Sequence, residues 1–195
     1  MIRIAVIDDH PALRAGLRTV IDAEPGLVFV GESAGDEESV WPLLRRTEPD
    51  LILLDYHLPH GDGLQLCHRI KRQLPVPKAP KVLVYSAYAS PELSLPAALA
   101  GADGVVDKGL AARELFEAIR LVHRGERLLG DPSQTVVRSE LERLEDRDRA
   151  LVGLLLNGAG DAEAAEALQM EPSEVQHATL RILGTLRSQV PTGTG

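Results

Sequence analysis

LILLD, residues 51–55, runs four apolar side chains into one carboxylate, Asp55, and then breaks into Tyr-His-Leu-Pro. An unbroken apolar run of this length reads as a strand buried on both faces, which is the habit of parallel sheets. Similar runs lie on either side: IRIAVI (2–7) and LVFV (27–30) before it, KVLVY (81–85) and GVV (104–106) after it. Between them the chain is amphipathic. Leu13, Leu17, Val20 and Ile21 repeat at helical spacing, as do Ala112, Leu115, Ile119 and Val122. Five β-α units in series predict an α/β fold, a doubly wound five-stranded parallel sheet with helices on both faces.

After Val122 the strand-like runs stop, and GERLLGDPSQ (125–134) has the Gly, Asp, Pro and Ser of a connector. Beyond it the apolar spacing is helical: Leu151, Leu154 and Leu155; Ala164, Ala165 and Leu168; Val175, Thr179, Ile182 and Leu186. The expected division is a first domain over 1–124, a linker over 125–140, a small all-α domain over 141–190 and a disordered tail over 191–195.

Composition narrows the function classes. Aromatics are 3% of the chain against 44% apolar residues, so the core rests on Leu, Val, Ile and Ala. MIRIAVIDDH lacks a basic, then apolar, leader, and no window approaches the roughly 18 apolar residues of a spanning helix. A soluble cytoplasmic protein with no membrane partner is expected. Cys67 is the single cysteine, which excludes an internal disulfide, and His57 and His60 gather no tetrahedral zinc set. A net charge of −8 disfavours unaided binding to phosphate backbones.

In open α/β sheets ligands collect at the carboxyl ends of the strands. Here those ends carry Asp8 and Asp9, then Asp55, then Ser86, then Asp107 and Lys108. Any one Asp at such a place reads as a helix cap. The set together reads as a site: three carboxylates call for a hard divalent cation, Mg²⁺. With that charge neutralised, Asp55 can attack phosphorus while Lys108 and Ser86 stabilise the transferred oxygens.

IAVIDDHPALRAGL (4–17), LILLDYHLPHGDGL (51–64), VLVYSAY (82–88) and AGADGVVDKG (100–109) resemble, in order and spacing, the receiver domains of two-component response regulators of the NarL/FixJ type. The resemblance implies that Asp55 is the phosphoacceptor and that Asp9, Asp55 and the His57 carbonyl ligate Mg²⁺, with Asp8 helping. It implies that Ser86 and Lys108 bind the phosphoryl group, that a sensor histidine kinase or a small phosphodonor supplies it, and that the regulator dimerises. No small-molecule turnover is expected beyond the receiver's own phosphoryl transfer and slow autodephosphorylation. A phosphatase of the haloacid-dehalogenase kind wants a carboxylate two residues after the nucleophile, where His57 stands. One departure concerns the switch: Val105 occupies the position that the family gives to Tyr or Phe, leaving Tyr85, Tyr88 or the loop after Ser86 as readout.

The C-terminal segment resembles the LuxR-type helix-turn-helix, with Arg147-Asp148 for the family's Arg-Glu and Gly158, Glu163, Ala165, Leu168, Val175, Ile182 and Leu186 at framework positions. Its recognition helix diverges, since Thr-Val-Lys-x-His stands as Glu174-Val175-Gln176-His177-Ala178. Gln176, His177, Thr179 and Arg181 remain as DNA contacts. From Glu140 onward Arg143, Arg147, Arg149, Arg181 and Arg187 face ten acidic residues. Two outputs follow: a DNA-binding transcription regulator or, alternatively, a phosphorylation-gated protein-interaction module.

Overall fold

The structure, a computed structural model, describes residues 1–59, 61–74, 79–87, 89–130 and 134–187, and only the backbone of 134–136 and 187. His60, Tyr88, the side chain of Arg187 and the expected tail 191–195 lie outside the described residues.

Strands β1 (Ile2–Ile7), β2 (Leu27–Ser33), β3 (Leu51–Asp55), β6 (Lys81–Ser86) and β7 (Gly104–Asp107) form one parallel sheet in the order β2-β1-β3-β6-β7, as the apolar runs predict. All five residues of β3 are buried because both faces of the sheet are covered. On one face α1 (Pro11–Ala23) and α5 (Ala112–His123) pack Leu17, Ile21, Leu115 and Ile119 onto Ile4, Val6, Leu53 and Leu83. On the other lie α2 (Glu37–Thr47), α3 (Gly63–Gln73) and α4 (Pro91–Leu99). The helices start where local chemistry allows it. Pro11 opens α1, and Asp36 caps α2 by accepting from Ser39 N at 2.8 Å.

A short hairpin, β4 (His57–Leu58) with β5 (Gly61–Asp62), turns the chain from β3 into α3. A Cβ at Gly63 would stand 2.0 Å from the Asp55 carbonyl oxygen, so only glycine lets α3 begin so close to β3.

The connector departs from expectation. Within 125–140, Leu128 extends the sheet past β7: its carbonyl accepts from Val105 N at 2.7 Å and its N–H donates to the Asp103 carbonyl at 2.9 Å. Helix α6 (Gln134–Glu142) also begins inside the expected linker. The cause is the open edge of β7, whose backbone groups need partners, together with an apolar Leu128 that packs on the α1/α5 core.

Helices α7 (Asp146–Leu156), α8 (Asp161–Leu168) and α9 (Pro172–Arg187) complete the chain. Their buried Leu151, Ala165, Val175, Ile182 and Leu186 join the apolar cluster beneath α2, α3 and α4, so one core runs through both parts of the molecule. Helix α9 lies against α3 and α4 on one side and α7 and α8 on the other. Among the described residues no helix is long and apolar enough to cross a membrane.

Candidate functional site

Parallel strands in register bring their carboxyl ends to one edge: Ile7 pairs with Leu54, Asp55 with Tyr85, and Ser86 with Asp107. The residues that follow or end these strands therefore converge. Asp8 and Asp55 are almost wholly buried, at 1% and 2% exposure. Between them sits the Lys108 ammonium, with Nζ 2.7 Å from Asp8 Oδ2 and 2.9 Å from Asp55 Oδ2.

Backbone donors orient the carboxylates. Asp8 Oδ1 accepts from His10 N at 2.7 Å, Asp55 Oδ1 accepts from His57 N at 3.2 Å, and Arg14 clamps the Asp8 carbonyl at 2.6 Å. Burial, chiefly, lifts the Asp55 carboxyl to about 6, with the Asp8 charge adding to it while Lys108 and the His57 amide pull the other way. Burial works against the charge of Lys108 too, but its bonds to Asp8 and Asp55 prevail and hold it above the ordinary lysine range.

Asp8, Asp9, His10 and Asp55 each bring a donor atom within 4.8 Å of the others. His10 was not singled out by the sequence reading. Its Nδ1 lies 2.6 Å from Asp9 Oδ1 and 3.2 Å from Asp8 Oδ1. The signal for it is its place directly after the Asp pair and before the first residue of α1. Asp9 Oδ1 and Asp55 Oδ2 are buried, the first against the His10 ring at 2.6 Å and the second against the Lys108 ammonium at 2.9 Å. Three carboxylates thus gather where a single ammonium reaches two of them, a charge balance that suits a divalent cation. Asp107 turns away and caps the next turn, accepting from Gly109 N at 2.6 Å.

Ser86 is fully buried at the end of β6, and its carbonyl accepts from Lys108 N at 2.8 Å. Tyr85 belongs to the α1/α5 core, where its hydroxyl donates to the Lys108 carbonyl at 3.3 Å. That places it across the sheet from Val105, which packs with the α4 side, so Tyr85 does not take the place of the missing aromatic residue. Around Val105 a cavity of about 190 Å³ opens instead, lined also by Ala89, Pro91, Ser94 and Leu129.

The expected DNA contacts fare differently. Thr179 is 1% exposed and donates its hydroxyl to the Val175 carbonyl at 2.8 Å, so it is a core residue of α9 and not a contact. Gln176 Nε2 donates to Asp161 Oδ2 at 3.2 Å, and Arg181 pairs with Asp148 at 2.7 Å. His177 is exposed.

The family model for the response regulator receiver domain matches residues 4–120. The DNA-binding transcriptional activator DevR/DosR of Mycobacterium tuberculosis is 31% identical, over 95% of this chain and 88% of its own length. The nitrate/nitrite response regulator protein NarL of Escherichia coli is 28% identical over 89% and 83%. Among solved structures, a LuxR-family two-component response regulator from Aurantimonas is 30% identical, covering 72% of this chain and 99% of its own with a TM-score of 0.60. RcsB of Salmonella enterica bound to promoter rprA, 19% identical, covers 95% and 92% with a TM-score of 0.59 and shares the fold.

Proposed function

The chain belongs to the response regulators, of the NarL/FixJ kind, and from that premise we propose that Asp55 accepts a phosphoryl group and thereby gates the C-terminal helices. The observation that carries this reading is the Lys108 ammonium bridging two buried carboxylates, 2.7 Å from Asp8 and 2.9 Å from Asp55. A carboxylate oxygen of Asp55 attacks phosphorus, the acyl-phosphate bond forms, and the bond to the donor breaks as its leaving group departs. Lys108 turns from the carboxylates to the new phosphoryl oxygens, and Ser86 offers its hydroxyl to them. Asp9 and Asp55, with Asp8 and the His57 carbonyl, would hold Mg²⁺, which supplies charge neutralisation at the transferred group. A sensor histidine kinase is the proposed donor, the cytoplasm the compartment, and no small-molecule substrate is turned over.

For output we propose transcription regulation through DNA, as a dimer, on the strength of a relative named as a DNA-binding transcriptional activator and of the helix-turn-helix pattern. A second reading, a protein-interaction module, is favoured by one observation: Gln176 and Arg181 are engaged by Asp161 and Asp148 within the chain. Selection from random DNA with the full chain, with and without beryllofluoride and with Asp55→Asn as control, separates the two. A motif enriched only with the phosphoryl mimic supports DNA output. No enrichment at low salt rejects it in favour of a protein partner.

A further inference from the structure

Where α3 meets the C-terminal helices, one buried polar side chain lies beneath a rim of more exposed ones. Asp161, which opens α8, pairs with Arg72 of α3 at 2.7 Å and accepts from Gln176 of α9 at 3.2 Å. One turn before Arg72 lies His68, 3% exposed, with Nε2 buried and without a hydrogen bond. Core residues of the receiver and of α7, α8 and α9 close the seam on the apolar side.

An imidazole so placed is neutral. Burial, chiefly, and the Arg72 charge push its pKa down to about 4, with Asp161 opposing them. The other charges on elements packed against α3 are committed or exposed. On α9, Glu174, His177 and Arg181 are exposed and Arg181 is held by Asp148. Glu92, the charge on α4, is half-exposed in the first turn of that helix; Asp62 of β5 accepts from Leu64 N; Asp55 of β3 and Lys81 of β6 pair with Lys108 and Asp103.

We propose that this seam is a proton-operated latch: His68 stays in it only while uncharged, so acidification parts α3 from the C-terminal helices and releases Gln176 from Asp161. The direction follows from linkage. The closed form keeps its full advantage above the ordinary histidine value of 6.5 and loses it as pH falls from there toward about 4. Between pH 7.5 and 5.5 the ratio of open to closed molecules should rise about tenfold. The latch needs neither phosphate nor DNA, so it stands or falls apart from the output reading.

Single-molecule energy transfer on the full chain, with dyes at Arg113→Cys and Glu163→Cys, counts open molecules at each pH. Both positions are exposed, whereas burial pushes the Cys67 thiol up to about 12 and leaves it unlabelled. The expected result is the tenfold rise in the parent chain and a flat profile in His68→Gln. An equal rise in His68→Gln, or no rise in the parent, overturns the latch. Should His68→Gln not fold, the His68 ring resonance in the unmutated chain decides: it must be neutral in closed molecules at pH 5.5, and a protonated ring there refutes the proposal.

Discussion

Replacing Asp55 by asparagine should stabilise the metal-free protein at neutral pH, with a gain that fades in acid. Burial, reinforced by Asp8, raises the Asp55 carboxyl from 3.8 to about 6 in the folded chain. A carboxyl whose folded value exceeds its unfolded one supports the fold fully below 3.8 and loses that support as pH rises through about 6. Above pH 7 the ionised group therefore costs the fold up to about 3 kcal/mol relative to acid, and solvent screening brings this nearer ~1.5 kcal/mol. Asparagine carries no charge, and its carbonyl oxygen can still accept from the His57 amide. Thermal unfolding in a chelator at pH 7.5 should show Asp55→Asn melting about 3–6 °C higher than the parent. At pH 4.5 the gap should shrink to roughly a third. Adding Mg²⁺ should close it from the other side, by stabilising the parent and not the variant. Equal melting at pH 7.5, or a gap that widens in acid, would refute the assignment of burial as the force that governs Asp55.

Two further outcomes concern the frame around the site. Gly63→Ala puts a Cβ 2.0 Å from a backbone oxygen of β3, so it should cost roughly 2 kcal/mol or more in urea unfolding and slow phosphorylation of Asp55 by acetyl phosphate. Val105→Phe fills part of the cavity of about 190 Å³ and should add ~1 kcal/mol, a rise of about 2–4 °C in Tm; a fall would mean that the space is closed in solution.

The five strands were legible because each carries a short apolar run, wholly buried in central β3 and only half-buried in the edge strands β2 and β7, and the site because the rule for strand ends needs only the residue that closes each run. Leu128 was not legible: between Gly125 and Gly130 it looks like connector, and its sheet pairing is dictated by the free edge of β7, which no local pattern encodes. Thr179 carries a lesson of another kind. It sits in the repeat Val175, Thr179, Ile182, Leu186, so its spacing pointed inward, and assigning it to DNA set a family position above that periodicity. The seam escaped because α9 is apolar on more than one face, with Ala178 and Leu183 buried as well, and sequence does not say what covers the second face.

The pairing of Leu128 with β7 also bears on solubility. An edge strand with idle N–H and C=O groups is a template for joining another chain, and β7 is short, parallel and flanked by glycine. With the Val105 amide and the Asp103 carbonyl already occupied by residue 128, a molecule whose C-terminal helices have swung away still presents a blunted edge. Such a chain can open without inviting edge-to-edge stacking, provided that the movement begins beyond Leu128.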